Sequence, residues 1–168
     1  KTIKNSIVYN NLYNNGSTSS LTYDIYEYYD FVENDLGAIN ATNVIRRSTF
    51  GGVAYTGSNS TQDPLFTNAA SNDYTLQSTS PAIGNGNSDA VAYDFNDIYR
   101  PQGTNKDIGA YEYRNTWTGT ASTDWGTTGN WDQEYEPNAN TESPIIADVT
   151  NQPVISSDDG ASNDGNVL

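Results

Sequence analysis

Asp94-Phe95-Asn96-Asp97, Arg100 and Asp107 place three carboxylates, an amide and a guanidinium within fourteen residues. Oxygen donors of this kind are what Ca²⁺ takes as ligands, so Asp94, Asn96, Asp97 and Asp107 form one candidate metal set. The same residues admit a structural chemistry, in which Arg100 pairs with Asp94 or Asp107 through a charge-assisted hydrogen bond. Asp158-Asp159-Gly160 and Asn163-Asp164-Gly165-Asn166 also present oxygen donors. They lack the alternating ligand spacing and closing Glu of an EF-hand, and Asp-Gly turns of hairpins account for them.

Tyr23, Tyr26, Tyr28 and Tyr29 are spaced to offer aromatic faces to a sugar ring. The plainer reading is that Tyr is a favoured strand residue, half-buried with its hydroxyl in water. Arg46-Arg47 and this Tyr cluster are the only groups suited to act as base and charge neutraliser in uronate chemistry. Glycoside hydrolysis needs a pair of carboxylates, and 21 acidic residues supply pairs by chance alone. No pair stands out, and no catalytic residue is assigned.

The chain has no Cys, His or Met. That excludes disulfides, zinc sites of Cys/His type and Cys or His nucleophile systems. A net charge of −14 leaves no basic surface for nucleic acid. No apolar run approaches the roughly 18 residues needed to cross a bilayer, so membrane insertion is not expected. Lys1 follows neither an initiator Met nor a leader, and the chain is expected to be part of a longer protein.

The elements that must position these residues are strands. Ser6-Ile7-Val8-Tyr9, Leu21-Thr22-Tyr23-Asp24-Ile25, Asn43-Val44-Ile45-Arg46 and Tyr74-Thr75-Leu76 carry short apolar or alternating runs. Asn14-Asn15-Gly16-Ser17 reads as a turn. No segment holds three turns of 3.6-residue periodicity, and Pro81-Ala82-Ile83-Gly84 is the best place for a short helix. Asn residues at corners, such as Asn10-Asn11, are expected to stack their amides in ladders. All three Trp fall at Trp117, Trp125 and Trp131. They predict an aromatic mini-core, with each indole N–H bonded to a backbone carbonyl and Gly119, Gly126 and Gly129 in tight turns beneath the rings.

Asp63-Pro64-Leu65-Phe66, Tyr74-Thr75-Leu76, Ser80-Pro81-Ala82-Ile83, Arg100-Pro101 and Asp107-Ile108-Gly109-Ala110-Tyr111-Glu112-Tyr113 follow one another in that order. Together they resemble the closing coils of a right-handed parallel β-helix of the pectate-lyase-like type, and Asn5-Ser6-Ile7-Val8-Tyr9-Asn10-Asn11 is similar to a rung of that family. The family pattern is nearer D-x-D-G-x-x-R-P, so Asn96 replaces an Asp and Asp97 a Gly, which lowers the charge of the candidate metal set. Trp117-x-Gly119, Trp125 and Gly129-Asn130-Trp131 resemble a Trp-rich β module of large secreted and surface proteins of the Bacteroidetes group. In that module a further strand usually begins where this sequence reaches Asn166-Val167-Leu168.

The resemblance implies an all-β chain: residues 1–114 as the terminal coils and cap of a parallel β-helix, and 115–168 as the truncated start of a second, sandwich-like β module. It implies an extracellular or cell-surface location; the tail of the type IX secretion route, frequent in such proteins, is not visible. The function expected is a non-catalytic structural or adhesive segment of a large exported protein. Two alternatives stay open: the C-terminal piece of a polysaccharide lyase or other glycan-processing β-helix enzyme with its active site upstream, or a carbohydrate-binding module. Partners would be extracellular polysaccharide or other surface proteins. No cofactor is required, and Ca²⁺ is the one ion the acidic set suits.

Overall fold

Short runs of β-branched and aromatic residues, broken by Gly, Asn and Pro, give strands of two to eight residues. The computed structural model describes residues 2–8, 12–13, 21–22, 39–46, 53–88, 91–138 and 140–154. Among them there is no α-helix. The chain divides into two compact units, Lys1–Tyr113 and Arg114–Leu168.

In the first unit β1 (Thr2–Val8), β4 (Ile39–Arg46) and β5 (Val53–Thr56) form a parallel sheet in the order β1-β4-β5. Ile7 is in register with Ile45, and Ile39 with Val53. Ile45 then bridges to Ser60 in the same parallel sense. Parallel strands are stable when buried, and Val44 and Ile45 are fully buried. Between β1 and β4 lies an antiparallel ribbon of β2 (Leu12–Tyr13) and β3 (Leu21–Thr22). Polar side chains reinforce the sheet where strands step past one another. Thr42 and Thr56 share a hydroxyl–hydroxyl bond of 2.7 Å. Asn59 Oδ1 accepts from Val44 N at 3.0 Å, and Asn43 Nδ2 donates to Asn85 O at 2.6 Å. At these positions the Asn amides bond to backbone groups; Asn10 and Asn11, where stacked amides are expected, lie outside the described residues.

Beyond the parallel sheet, β6 (Phe66–Asn68) and β7 (Asp73–Leu76) pair antiparallel around a 3₁₀ turn at Ala69–Ser71. Ile45, Leu76, Ala82 and Ile108 form the core of this unit, with Ile7, Phe66, Ile83 and Tyr113 packed on it. The helix expected at Pro81-Ala82-Ile83-Gly84 is a pair of turns instead. A helix would bond Gly84 N to Ser80 O; here Gly84 N donates to Asp107 Oδ1 at 2.7 Å. Ala82 O accepts Ile108 N at 2.9 Å as well as Asn85 N at 3.3 Å. Tertiary partners have taken the groups a helix needs.

In the second unit β8 (Thr116–Trp117) pairs parallel with β9 (Ile145–Ile146), and Asp124 bridges Val154. Its described residues hold this one two-stranded sheet. The three Trp are its core. Trp117 stacks on Trp125 with centroids 6.2 Å apart, and Trp131 meets both edge-on at 5.1 and 4.7 Å. Trp117 Nε1 donates to Asn151 O at 2.8 Å and Trp131 Nε1 to Trp125 O at 3.0 Å. Asn130, fully buried, closes the loop above the rings: its Oδ1 accepts from Ala121 N and Ser122 N, and its Nδ2 donates to Asp124 O.

Gly119 is the glycine this arrangement requires, with φ +60° and a hypothetical Cβ that would sit 2.4 Å from Asn151 O. Gly119→Ala is therefore expected to destabilise the second unit by about 2 kcal/mol or more. Trp emission, which arises only from that unit, would follow its unfolding in urea; an unchanged midpoint would refute the close approach.

Candidate functional site

Residues 92–100 fold back on themselves: Asp94 N donates to Ile98 O at 2.8 Å and Arg100 N to Ala92 O at 2.9 Å. Asp94 makes the turn. Its Oδ1 accepts from Asn96 N at 2.7 Å and Ile98 N at 2.9 Å, and its Oδ2 from Glu112 N at 2.9 Å. Arg100, held beside the cis bond to Pro101, points inward and is 5% exposed. Its Nε donates to Glu112 Oε1 at 2.6 Å, its Nη2 to Asp107 O at 2.6 Å and its Nη1 to Gly109 O at 3.2 Å. Glu112 in turn accepts Asp107 N at 2.9 Å and Gln102 N at 3.0 Å. Asp107 accepts Gly84 N on one oxygen and Tyr113 N on the other.

Arg100 thus pairs with Glu112, and the expected pairing with Asp94 or Asp107 is corrected. The reason is geometric: the guanidinium meets Glu112 Oε1 and the Asp107 carbonyl, while the Asp94 and Asp107 carboxylates accept backbone amides. Asp94 and Asp107 are buried whereas Asn96 and Asp97 are exposed. Among the described residues no group of three acidic side chains converges as metal ligands.

Burial pushes the Asp107 carboxyl up to about 7, helped by the negative charge of Glu112 and opposed by the Tyr113 and Gly84 amides and by Arg100. The group takes up a proton on folding. Its stabilising contribution is complete below the unfolded value near 4 and is lost as pH rises through about 7.

Of the other candidates, Tyr23, Tyr26, Tyr28 and Tyr29 lie outside the described residues, as do Arg47, Asp158, Asp159 and the 163–166 turn. Arg46 is buried, with its guanidinium 3.7 Å from the Tyr55 ring centroid. Its Nε and Nη1 meet no hydrogen-bond acceptor among the described residues. Trp117, Trp125 and Trp131 are core. Glu112 and Asn130 are the two hubs that motif reading passed over. Glu112 had a signal, since Ile108 to Tyr113 is a run in which one acidic residue stands among apolar neighbours.

A recess of about 500 Å³ also opens on the first unit. Its described lining includes Ile7, Phe66, Tyr74, Leu76, Phe95 and Tyr111. Comparisons with family models, with curated proteins and with solved structures found no match for this chain.

Two outcomes are expected. Arg100→Ala strands Glu112 in the interior and should cost about 3–5 kcal/mol. Hydrogen exchange at the Gln102 and Asp107 amides, which Glu112 holds, would report that loss, while EDTA should leave wild-type melting unchanged. Separately, the first unit should be more stable at pH 5 than at pH 8, by up to about 3 kcal/mol. Asp107→Asn keeps an acceptor for Gly84 N but carries no charge, so it should lower stability overall and flatten that profile. A wild-type profile flat between these pH values would refute the shift.

Proposed function

We propose that this chain is a non-catalytic structural or adhesive segment of a large exported or cell-surface protein. The observation that carries the reading is the commitment of its densest acidic and basic cluster: Asp94, Asp107 and Glu112 all accept backbone amides, and Arg100 donates to two carbonyls and Glu112. A general acid, base or nucleophile must face its substrate. These four side chains are buried against the chain's own backbone.

The finer architecture belongs to the same proposal. In this reading β1, β4 and β5 are successive rungs of a right-handed parallel β-helix, and residues 63–113 are its cap, which covers strand edges that would otherwise pair with other chains. The in-register stacking of Ile7 on Ile45 supports it. The second unit is the start of the Trp-rich module, and an acidic surface suits a location outside the cell.

Two measurements test the proposal. Incubation with neutral and uronate polysaccharides should release no new reducing or unsaturated ends; turnover would overturn the non-catalytic reading. The protein isolated from its source should have an intact mass several times the 18.3 kDa of this sequence, and a mass equal to it would overturn the large-protein reading.

A further inference from the structure

We infer that the recess beside Phe95 and Tyr111 is a binding site for an uncharged sugar ring. Phe95 is 76% exposed, an unusual placement for the most apolar aromatic side chain. It does not sit on a loose loop. Its own N–H donates to Ala110 O at 2.9 Å, and the turn that carries it is fixed by the Asn96 and Ile98 amides, which both donate to Asp94 Oδ1. The ring meets Tyr111 edge-to-face at 5.7 Å, and at the same recess Phe66 meets Tyr74 in the same manner at 5.4 Å. Two ordered aromatic pairs therefore border one concavity, with Leu76, Ile108 and Ile7 below them. Rigid aromatic walls lose little entropy when a ligand arrives.

The lining decides the ligand class. Its volume, about 500 Å³, lies within the range of small-molecule pockets. None of its described residues carries a charge at neutral pH, so an ion entering it would shed water without meeting a counter-charge. The −14 net charge of the chain repels anions further. A pyranose ring fits the remaining description. Its C–H faces carry partial positive charge and match the negative faces of aromatic rings, while its hydroxyls can reach the phenol groups of Tyr74 and Tyr111. The inference adds a ligand site to the proposed segment and does not depend on its coil architecture.

The test is calorimetric titration of the full chain with β-1,4-linked hexasaccharides of glucose, mannose and xylose, and with a galacturonate oligomer as the charged control. At least one neutral hexasaccharide should bind. Its affinity should stay constant between about 0.02 M and about 0.5 M salt. Phe95→Ala and Tyr111→Ala should each weaken binding roughly tenfold or more. Phe95→Ala should melt as wild type does, because its side chain is mostly in water, so a loss of binding there cannot be ascribed to unfolding. Absence of heat with every neutral sugar would overturn the inference. So would preference for the galacturonate oligomer, or a concentration-dependent dimer that Phe95→Ala abolishes, which would make the recess a contact between copies. A hexasaccharide bound and then recovered shortened would uphold the site and overturn the non-catalytic reading.

Discussion

Arg100 is buried with Asp94, Asp107 and Glu112 close by, and an interior of low dielectric makes such a group costly unless each charge is met. With all four ionised, the three carboxylates outweigh the guanidinium by two charges. The surplus is handled in two ways. Backbone amides from four separate stretches (84, 96–98, 102–107 and 112–113) converge on the carboxylates, and Asp107 holds its proton to near neutrality. Bonds of this kind tie together separate segments of the chain alongside the apolar contacts of Ala82, Ile83, Ile108 and Tyr113. That is how a unit with a small hydrophobic core fixes the path of its long irregular connections.

The same economy recurs at smaller scale. Asp63, Asp73, Asp94 and Asn138 each accept the amide two residues ahead, at 2.7–3.1 Å, and so build the turn in which they stand. The acidic composition is therefore partly architectural. At Asp73 the bonds from the Thr75 hydroxyl and amide hold the carboxyl below its ordinary range, the opposite of Asp107. Desolvation separates the two: it dominates at the buried Asp107 and is outweighed by the Thr75 bonds at Asp73.

Much of the strand content was legible from alternation and apolar runs. Ser6-Ile7-Val8, Asn43-Val44-Ile45-Arg46 and Tyr74-Thr75-Leu76 all fall in strands. The Trp core was legible too, because three large rings within fifteen residues have little else to pack on. What motif reading missed depends on distant partners. The turn at 81–84 looks helical until Asp107 and Ile108 claim its backbone. Glu112 was hidden because charge spacing makes Asp94 and Asp107 the nearer partners for Arg100, whereas in the fold the guanidinium meets Glu112 and those two carboxylates meet backbone amides. Asn130 was hidden because an amide beside a Trp carries no sign that four of its bonds will close a loop. The recess draws Ile7, Phe66, Phe95 and Tyr111 from widely separated places, beyond any local pattern.

The two steps of the parallel sheet are of very different length. Thirty-eight residues separate Ile7 from its neighbour Ile45, and fourteen separate Ile39 from Val53. Closing the longer excursion costs less than about 1 kcal/mol more than closing the shorter, so alignment of the strands is set by their own ladder and not by what joins them. A sheet built on that rule is indifferent to cargo. Residues added to or removed from the segment between two such strands would change the entropy of closure only slightly and leave the register of the sheet as it is.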